Sequence, residues 1–205
     1  MLTTKEAIEK RRSIRKFKAD PVPDEYINEL LDAARLAPSG CNAQPWRFRV
    51  VKNKEQKLQL AKAAYEQMFI ADAPVVFVCC ADIQGYINGM VSGIQDLGKI
   101  NAVEDRIIRI LNKRADQMET QLKAMNKEQF GARIAFNVAI AVEHMVLRAL
   151  DFGLGTCWIR LIDEQKVREI FGWNDNIFVV ALLPVGYPGE SPLPRKRLAI
   201  EQILI

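Results

Sequence analysis

Hydrophobic positions repeat along the chain with the period of helices in some segments and the period of strands in others. Helical spacing predicts a short first helix that begins at the Thr3–Glu6 capping box and runs into the Arg11–Arg12 pair. Further helices are predicted over 24–37, after Asn53, over 107–125, over 134–150 and over 163–171. We expect Asp24, Asn53 and Asp163 to cap three of them. The segment 134–150 is apolar on nearly every side, which predicts a central helix.

Strand-like patterns fall between these helices. Trp46, Phe48 and Val50 alternate with polar residues and predict a half-buried strand, whereas 74–81 and 177–187 are apolar runs that suit interior strands. Pro184 lacks an N–H, so it is expected at an edge or a bulge. Residues 82–99 hold four glycines and are expected to form a mobile loop.

The interleaved helices and strands, with no repeat and no linker, predict a single domain over 1–205. The chain is 49% hydrophobic and 26% charged, which is ordinary for a globular protein. No uncharged apolar run reaches the roughly 18 residues that span a bilayer, and the first residues lack a signal-peptide pattern. Four cysteines without a C-x-x-C motif suit free thiols in a reducing compartment. We therefore expect a cytoplasmic protein without a membrane partner.

A single histidine, His144, limits the chemistry that side chains alone can perform. With one histidine in the chain, most zinc sites, most Ser-His-Asp triads and most histidine-based acid–base schemes lose their support. We expect His144 to be a packed helix residue and any redox or group-transfer chemistry to belong to a cofactor.

Positive charge is concentrated in two short segments. Residues 10–18 hold six basic side chains and 195–197 hold three more, and without them 20 basic residues remain against 25 acidic ones. A nucleic-acid partner would need a broad basic face, which this balance argues against. Two compact clusters suit a small anion such as a phosphate, while two solvated surface segments remain the alternative from charge alone.

The polar loop 38–46 supplies side-chain donors and acceptors from Ser39, Asn42 and Gln44, which suit the edge of a heterocycle. The same residue types favour turns for local reasons, so a plain turn is equally consistent. Gly153-Leu154-Gly155 lacks the third glycine of a dinucleotide-binding motif and indicates a helix end followed by a turn.

Four segments together resemble the nitroreductase family of FMN-dependent oxidoreductases, in order and in spacing. They are Arg11-Arg12-Ser13-Ile14-Arg15-Lys16-Phe17, Ala37-Pro38-Ser39-Gly40-Cys41-Asn42-Ala43-Gln44-Pro45-Trp46, Gly153-Leu154-Gly155-Thr156-Cys157-Trp158-Ile159 and Leu193-Pro194-Arg195-Lys196-Arg197. The second is the most specific. The resemblance covers nearly the whole chain except about 82–129, where it implies a variable insertion.

This resemblance implies an α+β fold with a mainly antiparallel central sheet wrapped by helices, and an intertwined homodimer with FMN at the interface. It places Arg11, Ser13, Arg195 and Arg197 at the FMN phosphate, with Arg12 close by. Arg15 would lie near the pyrimidine end of the flavin. The backbone of Trp158, Ile159 and Arg160 would run beside the flavin and donate an N–H toward N5. Pro38, Ser39, Asn42 and Gln44 would come from the partner subunit or line its side of the pocket.

The implied activity is transfer of a hydride from NADH or NADPH through flavin N5 to an electron-poor acceptor such as a nitroaromatic or a quinone, by ping-pong turnover. A reductive dehalogenase, a flavin-fragmenting enzyme, and an FMN storage or sensor protein remain alternatives within the same fold. Many relatives have Gly or Glu where this chain has Arg160 and Leu161, which leaves substrate preference open. We expect the insertion to roof the open face of the flavin; the alternative is that its helix only packs on the sheet away from the site.

Overall fold

A four-stranded sheet forms the middle of the fold in the computed structural model, which describes residues 1–205 apart from the side chain of Lys123. The strands are β1 (Trp46–Val51), β2 (Val75–Asp82), β3 (Gly155–Thr156) and β4 (Ile177–Gly186), in the order β1-β2-β4-β3. The three pairings between them are antiparallel. The prediction of a mainly antiparallel central sheet is confirmed.

Helices cover both faces of this sheet. They are α1 (Thr4–Lys10), α2 (Asp24–Arg35), α3 (Lys54–Ala63), α4 (Phe69–Asp72), α5 (Ile83–Lys99), α6 (Asp105–Ala124), α7 (Lys127–Ala149) and α8 (Glu164–Phe171). The side chains of Thr3, Asn53 and Asp163 cap α1, α3 and α8 as predicted.

The buried strand β2 separates two hydrophobic cores because successive side chains of a strand point to opposite faces. Phe77 and Cys79 belong to the core shared with α2, α5 and α7, whereas Val78 and Cys80 belong to the core under α3 and α8. Cys79 and Cys80 therefore lie on opposite faces of the sheet.

The central helix α7 supplies much of the first core, including the fully buried Phe130 and Met145. Its apolar coat is not completely covered, because Phe136 is 57% exposed and Ile140 is 37% exposed. By length and composition alone, α7 with the turn after it is the described helix that could cross a membrane. Half of its most apolar window is buried inside the fold, which also suits the core helix of a globular protein.

The expectation of a mobile loop over 82–99 was wrong, because this segment is the 17-residue helix α5. Asp82 caps it by accepting a hydrogen bond from the Gly85 N–H at 2.8 Å. Gly85, Gly89 and Gly93 recur every fourth residue and so share one face of the helix. Close packing of that face, described below, outweighs the low helix propensity of glycine.

Two smaller expectations, on Asp24 and on Pro184, were also wrong. Asp24 is the first residue of α2 rather than its cap, and it forms an ion pair with Lys52, while Pro23 occupies the cap position. Pro184 lies within the interior strand β4, where its carbonyl accepts from the Cys157 N–H. Its ring nitrogen faces the same side of the strand, beyond the two-residue β3, so no long neighbouring strand needs the missing N–H.

Candidate functional site

The two basic clusters of the sequence meet at one open cavity of about 750 Å³. The end of α1 and the chain after it form one wall, and the C-terminal segment around 192–197 forms the other. The cavity is lined by Ile8, Glu9, Arg11, Arg12, Ser13, Arg15, Pro192, Leu193, Pro194, Arg195, Lys196 and Arg197. Six of the residues selected from the sequence thus come together: Arg11, Arg12, Ser13, Arg15, Arg195 and Arg197.

The first wall is fixed to the sheet by backbone contacts. Ser13 forms a parallel bridge with Thr156, and the Ile14 N–H donates to the Thr156 carbonyl at 2.9 Å. Ile14 is buried beside Gly155, where an added Cβ would lie 2.5 Å from Ile14 Cγ1. Because side chains alternate along extended chain, burial of Ile14 turns Ser13 and Arg15 to the side of the cavity.

Glu190 connects this wall to the segment that leads to the second basic cluster. Its Oε1 accepts from the backbone N–H of Arg15 at 2.5 Å and of Lys16 at 3.0 Å. The Gly189 N–H donates in turn to the Lys16 carbonyl at 2.8 Å. The sequence analysis missed Glu190, although it is the acidic residue that most closely precedes the second basic cluster, which was a usable signal.

Positive charge dominates the cavity, which is lined by five arginines, one lysine and a single acid, Glu9. Among the described side chains, none of these arginines forms an ion pair. The Arg12 Nη1 donates to the Glu9 carbonyl at 2.7 Å, which holds its guanidinium near α1. The Arg197 Nη1 donates to the Lys196 carbonyl at 3.3 Å. The remaining guanidinium N–H groups suit bidentate binding of an oxyanion.

The segment 158–160 follows β3 and stays beside β4 through the Ile159–Leu182 bridge, but it does not line the cavity. The N–H of Cys157 donates to Pro184 at 3.3 Å, and that of Ile159 donates to Leu182 at 3.0 Å. The N–H groups of successive residues in extended chain point to opposite sides, so those of Trp158 and Arg160 point away from β4. The Ile159 N–H is therefore committed to the sheet. Of the three residues named from the sequence, only Trp158 and Arg160 keep a backbone donor for a ligand.

Two side chains in this segment are also constrained. The Arg160 Nη1 donates to the Val180 carbonyl, and the same atom lies 3.6 Å from Glu164 Oε1. Burial raises the pKa of the Cys157 thiol, although nearby Arg15 and a hydrogen bond with Ser13 oppose that shift. Cys157 is therefore a neutral thiol behind the basic wall.

The polar loop forms a separate feature, away from the basic cavity. Residues Gly40–Asn42 form a 3₁₀ turn, and Cys41, Asn42 and Gln44 have φ values of 50°, 52° and 47°. Non-glycine residues adopt this left-handed region at a cost, so neighbouring contacts must hold the loop. Ser39 Oγ accepts from the Gln44 N–H at 3.0 Å. The fully buried Asn137 of α7 accepts from the Gly40 N–H through Oδ1 at 3.1 Å.

The glycine face of α5 packs directly on the backbone of this loop. A Cβ at Gly89 would lie 2.1 Å from the Ala43 carbonyl oxygen, and one at Gly93 would lie 1.6 Å from that of Cys41. Both distances are far below van der Waals contact, so only glycine permits this approach. We call this contact between α5 and the Ser39–Gln44 loop the glycine contact. The four-residue spacing of glycines was the signal that sequence reasoning interpreted as a loop.

Pro38, Ser39, Asn42 and Gln44 therefore lie together on one loop, and none of them lines the basic cavity of the same chain. Asn42 and Gln44 are exposed and Ser39 is half-buried, so their side chains are open to a ligand or to another subunit.

Comparison with known proteins identifies the family of this chain. The sequence model of the Nitroreductase family matches residues 8–187. A Thermus thermophilus protein named NADH dehydrogenase is 32% identical over 207 aligned positions, which cover 100% of this chain and 96% of that protein. A Bacillus subtilis protein named FMN reductase (NAD(P)H) is 27% identical, with 94% of this chain and 68% of that protein covered.

A solved structure supports the fold. An Exiguobacterium sibiricum protein crystallised in complex with FMN superposes with a TM-score of 0.79 at 22% identity, covering 100% of this chain and 97% of that one. The family model spans most of the chain, and the Thermus relative aligns along its full length. The resemblance found in four sequence segments is thus confirmed, and this chain belongs to the nitroreductase family.

Proposed function

We propose that this protein is an NAD(P)H-dependent oxidoreductase that uses FMN to reduce an electron-poor organic acceptor. The observation that carries the proposal is the convergence of Arg11, Ser13, Arg195 and Arg197 on one cavity. These residues come from the two ends of the chain and supply several charge-assisted donors without a neutralising ion pair. Family membership and the FMN-named relative support the same assignment.

The donor set fits the phosphate of FMN. A phosphate monoester carries close to two negative charges at neutral pH and accepts several hydrogen bonds through its oxygens. Guanidinium groups bind such an oxyanion in a bidentate manner, and the Ser13 hydroxyl adds a neutral donor. Arg12 lines the same cavity and contributes charge close by.

Bound FMN would supply the redox chemistry by taking up a hydride at N5 from NAD(P)H and passing it to the acceptor in a second half-reaction. The chain supplies position and charge. Arg15 would place positive charge near the pyrimidine end of the ring, and the N–H of Trp158 or Arg160 would donate toward N5. Because the flavin would carry the redox chemistry, the chain needs no set of histidines for acid–base catalysis.

We propose a homodimer in which the Ser39–Gln44 loop completes the partner's site. Phe136 and Ile140 form an exposed apolar strip on one side of α7, four residues apart. The C-terminal segment adds exposed apolar side chains, namely Leu193, Leu198, Ile200, Ile203, Leu204 and Ile205. Large exposed apolar surfaces mark association sites, and obligate interfaces bury about 2,000 Å² or more. Pro38, Ser39, Asn42 and Gln44 would then reach the flavin of the other subunit.

The cytoplasm is the compartment we propose, because all four cysteines are free and three of them are buried as thiols. Such thiols persist in a reducing environment.

The purified protein tests the function in two steps. We expect the protein to show a flavin absorbance spectrum and the cofactor extracted from it to be FMN. Under anaerobic conditions NADH or NADPH should bleach that spectrum. Reoxidation by a quinone or nitroaromatic would complete the ping-pong cycle. A flavin that neither nicotinamide reduces would favour FMN storage or sensing, and absence of any FMN binding would contradict the proposal.

Sedimentation tests the dimer. Ile140→Asp should shift the protein toward monomer and weaken FMN binding, because a buried unpaired charge disrupts an apolar interface. Ile110→Asp on α6 is the control, since Ile110 is also exposed but lies on another helix. A stable FMN-loaded monomer of the unmodified protein at micromolar concentration would contradict the dimer.

A further inference from the structure

A second cavity, of about 270 Å³, lies where α5, α6, α7 and the Ser39–Gln44 loop meet. Its walls are mainly apolar, and Gly40 and Cys41 of the loop form one of them. This volume lies just below the usual range for drug-sized ligands, so a single-ring molecule suits it. The apolar lining is Met90, Leu111, Met118, Ile134 and Phe136.

Two arginines supply all the charge of this cavity. Arg114 of α6 and Arg133 of α7 are among its lining residues, and none of the described lining residues is acidic. Arg114 lies on the same side of α6 as Leu111 and Met118, at spacings of three and four residues. The Arg133 Nη1 donates to Gln121 Oε1 at 3.0 Å, which holds Arg133 between the two helices.

Tyr86 adds a neutral donor at the wall formed by the loop. Its ring is buried and meets Phe130 edge to face, with centroids 6.3 Å apart. A Cβ built at Gly40 would lie 3.8 Å from the Tyr86 hydroxyl, which places that hydroxyl beside the loop. Burial raises the pKa of Tyr86, so its hydroxyl stays protonated at neutral pH and can donate.

We propose that this cavity binds the aromatic ring of the electron acceptor and that Arg114 and Arg133 select acceptors carrying a carboxylate or a similar anionic group. Apolar walls suit a planar ring, and two cations without an acid at the wall suit an anion. The inference rests on the proposed function, because it needs the Ser39–Gln44 loop to lie at the partner's flavin.

A matched pair of acceptors tests the selectivity. 4-Nitrobenzoate and 4-nitrobenzamide have nearly the same shape and differ in charge, so the ratio of their kcat/KM values reports recognition of the anion. We expect Arg114→Gln and Arg133→Gln each to lower this ratio by roughly threefold to fivefold, as befits partly exposed charges. The double variant should lower it by about tenfold or more. Arg109→Gln on another side of α6 is the control and should leave the ratio unchanged.

Binding of benzoate gives a readout that does not depend on turnover. Calorimetry on the FMN-loaded protein should give a dissociation constant that rises in the double variant and not in Arg109→Gln. In the unmodified enzyme, added KCl should weaken use of 4-nitrobenzoate more than use of 4-nitrobenzamide, because salt screens exposed charges. This salt test stands even where a variant fails to fold.

The outcomes separate this inference from the proposed function. An enzyme that oxidises NAD(P)H and reduces both acceptors with a ratio unchanged by the two arginines or by salt would overturn only the acceptor inference. An FMN-loaded protein that NAD(P)H does not reduce would overturn the proposed function itself.

Discussion

The basic cavity and the glycine contact are held by opposite kinds of interaction. In the cavity, exposed or half-buried arginines surround open space, and the guanidinium groups of Arg12 and Arg197 donate to nearby carbonyl oxygens. At the glycine contact, helix backbone meets loop backbone without intervening side chains, so that an added Cβ at Gly93 would lie 1.6 Å from a carbonyl oxygen.

This difference assigns a different task to each region. A single charged residue of the cavity can be replaced with little effect on the fold, because the residues around the cavity are solvated. The glycine contact tolerates no added atom, yet it carries no charge and no chemistry. Changes in the first region should therefore alter cofactor affinity, whereas changes in the second should alter stability and the placement of Ser39, Asn42 and Gln44.

The largest expected effect is in the cavity. Arg11→Ala and Arg197→Ala should each weaken FMN binding by about 1.5–3 kcal/mol, because each removes charge-assisted hydrogen bonds to the phosphate. Equilibrium titration of the apoprotein with FMN measures this loss, and urea unfolding should show little change in stability. Arg109→Ala serves as the control. Wild-type FMN affinity in both cavity variants would show that the phosphate assignment is wrong.

The next effect concerns the glycine contact. Gly93→Ala should destabilise the protein by about 1–3 kcal/mol, because the loop or helix must shift to admit the methyl group. Gly98→Ala on the same helix is the matched control, since its Cβ would lie 3.8 Å from the nearest side-chain atom, Ile108 Cδ1. That change should stabilise α5 by up to about 1 kcal/mol, as alanine usually does in a helix. Equal urea midpoints for Gly93→Ala and Gly98→Ala would contradict the claim that the glycine contact tolerates no added atom.

The smallest expected effect concerns the reactivity of the cysteine thiols. Burial raises the pKa of every cysteine thiol in the chain, and for Cys80 to about 12. Because a raised pKa lowers the thiolate fraction at pH 8, native protein should react slowly with iodoacetamide, mainly at the half-buried Cys41. The rate should keep rising above pH 9 instead of levelling off. Mass spectrometry with and without urea counts the modified thiols; rapid native labelling of Cys157 would show that the basic wall is open.

The sequence predicted the segments whose signals are local. Capping at Thr3, Asn53 and Asp163 and the apolar run of β2 are decided by neighbouring residues, and the structure contains all of them. The meeting of Arg11 with Arg197 was different, because no local pattern relates residues so distant in sequence. It followed from the resemblance to the family.

What the sequence did not predict depends on contacts between distant segments. The glycines of 82–99 were taken as the sign of a mobile loop, yet Gly89 and Gly93 are required where α5 touches the Ser39–Gln44 loop. The left-handed backbone at Cys41 and Gln44 is held in part by Asn137, nearly a hundred residues away. Because 85–98 forms most of α5, a deletion there would remove a packed helix, so point substitutions at its glycines are the better way to test the role of the insertion.

The central claim is that the basic cavity binds the phosphate of FMN, and comparison with riboflavin tests it most directly. Riboflavin has the same ring and ribityl chain without the phosphate. The unmodified apoprotein should bind FMN at least roughly 100-fold more tightly than riboflavin, as two or more charge-assisted bonds require. The Arg11→Ala/Arg197→Ala double variant should lose most of that preference while its riboflavin affinity stays the same. Equal affinity of the unmodified protein for the two flavins, or a double variant that keeps the full preference, would contradict the account.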